Sequence, residues 1–236
     1  MRNPTLQHIG IVACSAEGAA LCYRSICQAG SARLGPHAHP EISLHSHALA
    51  DYVACLEHDD LDGVAALMLS SARKLAAAGA DFLICPDNTI HAAFARVAAA
   101  SPLPWLHIAE EVAAAAAARG FRRIGLTGTA WLTASSVYPQ ALAARGLQAV
   151  VPSAPDRALM GRIIMDELVQ GDLRPASVRA FQDVITRLQG QGCDAVVLGC
   201  TEIPLIISDA NSPLPTLDST RLLAQAALAR AIGDTD

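Results

Sequence analysis

Short apolar runs alternate along this chain with longer stretches in which apolar residues recur every three or four positions. That is the pattern of strands alternating with helices in an α/β protein. Strands are expected at 8–13, 41–46, 81–85, 103–107, 122–127, 147–151, 194–199 and 214–217. Helices are expected at 16–28, 48–56, 60–78, 90–99, 109–119, 133–144, 157–170, 175–190 and 218–231. Runs such as Phe82-Leu83-Ile84-Cys85 and Ala195-Val196-Val197-Leu198 do not alternate with polar residues, so both sheet faces should be covered and the strands parallel.

No Gly/Ser linker divides the chain, yet two segments resemble each other. Gly79-Ala80-Asp81-Phe82-Leu83-Ile84 reads against Gly192-Cys193-Asp194-Ala195-Val196-Val197, and each is followed by a Cys-bearing turn and an expected helix start. Two copies of one α/β unit facing each other would bring both turns to a shared cleft, because ligands of open α/β sheets bind at the carboxyl ends of strands. The alternative is that any two buried strands after a helix look alike.

Length and composition narrow the class. A chain of 236 residues fits one large domain or two small ones. With 52% hydrophobic, 17% charged and 4% aromatic residues, disorder and fibrous repeats are excluded. A net charge of -5 without any Lys/Arg cluster argues against a nucleic-acid partner or a membrane held by electrostatics, leaving a small molecule or another subunit. Mean hydropathy is +0.33, but apolar runs such as Val112 to Ala118 fall far short of the roughly 20 residues of a membrane span. The stretch from Ile9 to Cys14 is too short for a signal sequence and is expected to be a first buried strand of a cytoplasmic protein. Seven cysteines without a C-x-x-C pair predict reduced thiols. Cys22, Cys27, Cys55 and Cys193 are expected to be packing residues.

The candidate chemistry lies in the two turns, Cys85-Pro86-Asp87-Asn88-Thr89-Ile90-His91 and Gly199-Cys200-Thr201-Glu202-Ile203-Pro204-Leu205. In each, a thiol at or near a strand end precedes small polar residues able to cap a helix. The amides of such a helix start suit a carboxylate ligand, and its dipole favours a thiolate. Cys200 has that context.

With Asn88-Thr89-x-His91, Gly199-Cys200-Thr201-Glu202-Ile203 and Pro104 to Ala109, the chain resembles the aspartate/glutamate racemase family. The likeness continues through Gly128-Thr129, the stretch Ile163 to Leu168, and Pro215-Thr216-Leu217-Asp218, so it spans nearly the whole chain. What the resemblance implies is two similar doubly wound parallel-sheet domains facing each other across a cleft, with a C-terminal helix crossing back to the first. The domains are expected as 1–112, completed by 211–236, and 113–210. It further implies catalysis without pyridoxal phosphate or any other cofactor: two opposed groups, normally cysteines, move a proton off and onto the α-carbon. Cys200 matches one of them, and Asn88, Thr89, Thr201 and Glu202 match substrate-binding positions, with Thr129 and Thr133 as further candidates.

The chain departs from the family at the other cysteine. The family's first turn reads Cys-x-Asn-Thr, whereas here Pro86 stands at that spacing and the thiol is one residue earlier, at Cys85. A one-residue shift along a strand turns a side chain to the opposite face. Counting from Gly79 and Gly192 puts Asp87 level with Cys200. Cys14, after the first strand, is a third candidate, and the remaining alternative is that no group opposes Cys200. A second departure places Leu159 where racemases of acidic amino acids tend to carry Lys; Arg157 or Arg162 could meet a distal carboxylate instead. The Gly-Thr turn also differs, with Leu132-Thr133 in place of Thr-Met. His37, His39, His45 and His47 form two H-x-H pairs, but no cysteine joins them and no metal is expected.

The expectation is therefore a cofactor-independent amino-acid racemase using two-base proton transfer, with aspartate or glutamate as candidate substrates and a homodimer as the assembly. The rivals are a single-thiol decarboxylase or isomerase of small dicarboxylic acids, and a small-acid binding protein without turnover.

Overall fold

A computed structural model describes residues 6–234. In chain order the elements are β1 (Ile9–Ala13), α1 (Ala16–Leu34), β2 (Ile42–Ser46), α2 (Leu49–Glu57), α3 (Leu61–Ala77), β3 (Phe82–Ile84), a 3-10 turn (Thr89–Ala93), α4 (Phe94–Ala100) and β4 (Trp105–Leu106). Next come α5 (Ile108–Ala118), β5 (Arg123–Thr127), α6 (Ala130–Ala134), α7 (Val137–Ala143), β6 (Gln148–Val150), α8 (Ala154–Asp166) and a 3-10 turn (Leu168–Gln170). The chain continues with α9 (Pro175–Gly190), β7 (Ala195–Leu198), a 3-10 turn (Ile203–Leu205), β8 (Thr216–Asp218) and α10 (Ser219–Ala231).

The strands form two four-stranded sheets, ordered β2-β1-β3-β4 and β6-β5-β7-β8. Every pairing is parallel. The chain divides into two compact units, Met1–Ile108 with Thr220–Asp236, and Ala109–Ser219. β8 pairs with β7, so the second sheet reaches Asp218, beyond the position 211 at which the chain was expected to return to the first domain. Helix α10 does pack on the first sheet: its Leu223, Ala224 and Ala227 join Ile9, Ile11, Phe82 and Ile84 in one apolar cluster. Fully burying a leucine, isoleucine or phenylalanine side chain in that cluster is worth about 1.5–3 kcal/mol relative to exposure.

The repeat seen in sequence is built into both sheets by the same hydrogen bonds. Asp81 accepts the amide of His8 and donates its own amide to the His8 carbonyl. Asp194 accepts the amides of Arg122 and Arg123 and donates its amide to the Arg123 carbonyl. Gly79 and Gly192, which end the preceding helices, both have positive φ (92° and 85°), the left-handed conformation that glycine adopts at least cost.

Some expected helices change length. α1 runs to Leu34 rather than 28 and stops at Gly35, whose φ is 108°. The helix expected at 133–144 begins earlier, capped by Thr129, and breaks at Ser135-Ser136 into α6 and α7. There the Ser135 hydroxyl donates to the Leu132 carbonyl and competes with the backbone ladder. The ends of the helices expected at 90–99 and 157–170 tighten into 3-10 turns.

Candidate active site

In both sheets the strand order reverses beside the first strand of the unit, between β1 and β3 and between β5 and β7. Ligands of doubly wound sheets bind outside the carboxyl ends of strands at such a switch point. Gly128 and Cys200 come after the second unit's switch-point strands, Cys14 and Cys85 after those of the first.

In the second unit the two strand ends approach closely. A Cβ at Gly199 would lie 2.5 Å from the Thr127 carbonyl oxygen, and one at Gly128 would lie 3.0 Å from the Gly199 carbonyl oxygen. Gly128 also has φ 156°. Only glycines let β5 and β7 end side by side, which sets Thr129 and Cys200 next to the same edge. Thr129 caps α6, its hydroxyl oxygen accepting the Leu132 amide at 3.1 Å. The Thr133 hydroxyl donates to the Thr129 carbonyl at 3.0 Å, so its hydrogen is engaged within the helix.

Cys200 is partly buried against the second unit's apolar cluster. Its thiol donates to Glu202 Oε2 at 2.9 Å, and the Thr201 hydroxyl donates to the same oxygen at 2.7 Å. Thr201 and Glu202 are each 3% exposed. The structure corrects one expectation here: the turn after Cys200 leads into a single 3-10 turn, Ile203–Leu205, rather than a helix. A helix macrodipole is therefore not available to the thiol, and the side-chain partner that orients it is the buried Glu202 carboxyl group.

In the first unit Asp87 is partly exposed, and its Oδ1 accepts the Ile90 amide at 3.1 Å, closing the turn that leads into Thr89–Ala93. Asn88 and Thr89 are buried beside it. Cys85 is fully buried and its thiol is pushed well up, first by desolvation and then by the Asp87 charge. Cys14 is also buried. Tyr52, which sequence reasoning missed, is buried close to these groups; its phenol is pushed up by desolvation, then by Cys85, Cys14 and Asp87. Nothing in the helical pattern of 49–57 marks Tyr52 apart from an ordinary core position.

His91 donates from Nδ1 to the Asp87 carbonyl at 2.6 Å and stacks on Phe94, with His107 edge-on at 4.6 Å. Burial, then His107, holds it well below the ordinary imidazole range, so the ring is neutral. The four clustered histidines go separate ways. His39 donates to the Pro40 carbonyl, the His37 amide donates to Ser31, and His45 bridges Ser71 and Lys74 with its ring edge-on to His47. Among the described residues no group of three His, Cys, Asp or Glu side chains is arranged to hold a metal ion.

Of the two arginines singled out in sequence, Arg162 is exposed. Arg157 is partly buried in the first turn of α8, just past the carboxyl end of β6, and its Nε is buried with no hydrogen-bond partner among the described residues. Leu159 is partly buried and packs against the second unit's apolar cluster.

Residues 9–227 match the Asp/Glu/hydantoin racemase family. A broad-specificity amino-acid racemase, RacX, from Bacillus subtilis is 24% identical over 173 residues, 72% of each chain. Among solved structures, a candidate Asp/Glu racemase from Yersinia pestis is 31% identical with a TM-score of 0.88, over 96% of this chain and 100% of the other. An aspartate racemase homologue from Pyrococcus horikoshii is 25% identical with a TM-score of 0.82, over 96% and 99%. The chain belongs to the Asp/Glu/hydantoin racemase family.

Proposed function

We propose that this member of the Asp/Glu/hydantoin racemase family is a cofactor-independent amino-acid racemase in which Cys200 is one of two acid/base groups. The observation that carries the reading is the partly buried Cys200 thiol at the carboxyl edge of β7, hydrogen-bonded to the buried Glu202 carboxylate. Racemisation breaks the Cα–H bond on one face of the α-carbon and forms it on the other. Without a cofactor to take up the carbanion, the charge must flow into the substrate carboxylate, and fixed hydrogen-bond donors must meet it there. Asn88 and Thr89 are the side chains assigned as donors to that carboxylate, and Thr201, whose hydroxyl hydrogen goes to Glu202, is assigned to the same subsite as an orienting neighbour of Cys200. Thr129 contributes at the same edge as Cys200, and Glu202 holds Cys200 and Thr201 in place.

The substrate we assign is an acidic amino acid, aspartate or glutamate. Arg157 supports this, because an uncompensated buried guanidinium N–H at the carboxyl edge of a sheet suits a carboxylate partner. The seven cysteines form no disulfide in the described residues, which supports a cytoplasmic setting. No described helix is long and apolar enough to cross a membrane. A homodimer is the assembly we assign, to be checked by sedimentation.

The test is α-proton exchange in D2O, monitored by NMR, over acidic, neutral and aromatic amino acids. Exchange with racemisation of an acidic amino acid, the racemisation being lost in Cys200→Ser, is the expected outcome. Thermal protection by a small dicarboxylic acid without any exchange would instead favour the single-thiol decarboxylase, isomerase or binding readings.

A further inference from the structure

From the strand register within each unit we infer that Asp87, a carboxylate and not a second thiol, is the second acid/base group of the proposed racemase, the first unit's counterpart of Cys200 in the second. This rests on the racemase reading above and names the other half of its proton transfer.

The two sheets set the correspondence between the units. Ile9 pairs with Phe82 in one, and Ile124 with Ala195 in the other, each with the aspartate clamp one residue earlier, Asp81 and Asp194. Counting forward in register, Cys85 falls on Leu198 and Asp87 on Cys200. Burial obeys the same register. Cys85 and Leu198 are 0% and 1% exposed, both turned into a core, whereas Asp87 and Cys200 are both partly exposed. The next residues, Asn88 and Thr201, are both buried polar side chains. The turn closure matches as well: the Ile90 amide is bound by Asp87 Oδ1, and the corresponding Ile203 amide by the Cys200 carbonyl. Cys85 is thus the counterpart of a core leucine, and Asp87 the counterpart of the reactive thiol.

In one direction the Asp87 carboxylate takes the α-proton: the Cα–H bond breaks, an O–H bond forms on Asp87, and the electron pair moves into the substrate carboxylate. The Cys200 S–H then gives its proton to the other face and is left as a thiolate. In the reverse direction the thiolate takes the proton and the Asp87 carboxylic acid returns one. Two thiols would make the two directions chemically alike; a carboxylate paired with a thiol makes them unlike, because reference acidities differ by roughly four to five pKa units.

The experiment monitors each enantiomer separately in D2O with wild type, Asp87→Asn, Asp87→Cys, Cys85→Ala and Cys200→Ser, all checked for native circular dichroism. Asp87→Asn keeps an oxygen for the Ile90 amide, so folding is preserved. Expected are loss of racemisation by at least a hundredfold in Asp87→Asn with exchange surviving for only one enantiomer, and survival for the opposite enantiomer in Cys200→Ser. Asp87→Cys should recover racemisation and move the acidic limb of the kcat/KM profile upward, a shift that a merely structural residue would not produce. Cys85→Ala should stay within threefold of wild type. Racemisation within threefold of wild type in Asp87→Asn, or a hundredfold loss in folded Cys85→Ala, overturns the assignment while leaving the racemase reading intact. No exchange by wild type with any amino acid overturns the racemase reading and the assignment together.

Discussion

Glu202 Oε2 accepts the Cys200 thiol and the Thr201 hydroxyl at once, at 2.9 and 2.7 Å. One buried carboxylate oxygen therefore orients both the Cys200 sulfur and the neighbouring Thr201 hydroxyl. Removing its charge leaves two donors with a weaker acceptor. Glu202→Gln is expected to lower kcat by about ten- to a hundredfold, since a hydrogen bond to a charged group is worth about 1.5–3 kcal/mol. Initial rates by polarimetry, beside a thermal melt to show the fold is kept, check this; an unchanged kcat would remove Glu202 from the site.

Gly199 sits where a methyl group would press on the Thr127 carbonyl oxygen at 2.5 Å and on Leu132 at 2.7 Å. The carbonyl is backbone within a paired strand and cannot swing aside. Gly199→Ala is expected to cost about 1–3 kcal/mol, the usual range for overpacking. For a chain of this size that lowers Tm by roughly 2–4 °C per kcal/mol, readable by calorimetry. A melting temperature equal to wild type would mean that β5 and β7 can part without penalty.

His91 stays neutral in the fold because burial and His107 hold its pKa well below the imidazole range. In the unfolded chain a histidine binds a proton below about pH 6.5. Below that pH the unfolded state holds the extra proton, so stability falls as pH falls, until the folded ring itself titrates. The slope is up to about 1.4 kcal/mol per pH unit for one such group. His91→Phe, which keeps an aromatic ring against Phe94, should flatten urea midpoints between about pH 6.5 and 5; an unchanged slope would show that another group sets it.

Arg157 is tested by substrate choice. If its guanidinium meets the side-chain carboxylate, Arg157→Gln should raise KM for aspartate or glutamate by roughly ten- to a hundredfold, the loss of a charge-assisted hydrogen bond. KM for a neutral amino acid should stay put. Equal effects on both classes would make Arg157 a structural residue of α8.

Much of this architecture was legible in the residues, for reasons specific to it. Strands β3 and β7, covered on both faces, read as the unbroken apolar runs Phe82-Leu83-Ile84 and Ala195 to Leu198, while the outer strand β2, Ile42–Ser46, mixes polar residues and is nowhere fully buried. The Gly-x-Asp repeat at Gly79 and Gly192 was legible because each residue has a fixed task, a left-handed helix end and an amide clamp. The bond from Cys200 to Glu202 was not, since a spacing of two does not say which way either side chain turns. Nor was the neighbourhood of Tyr52, which depends on residues more than thirty positions away along the chain. The break between α6 and α7 hid behind an apolar periodicity that two serines interrupt without altering.

The first unit receives its last apolar layer from α10, whereas the second is one uninterrupted stretch, Ala109–Ser219. During synthesis the inserted unit is complete before the host. Until Leu223, Ala224 and Ala227 leave the ribosome, the side chains of Ile9, Ile11, Phe82 and Ile84 lack part of their cover. Translation that stops short of α10 would thus yield a finished guest in an unfinished host, the kind of exposed apolar face that chaperones and proteases recognise.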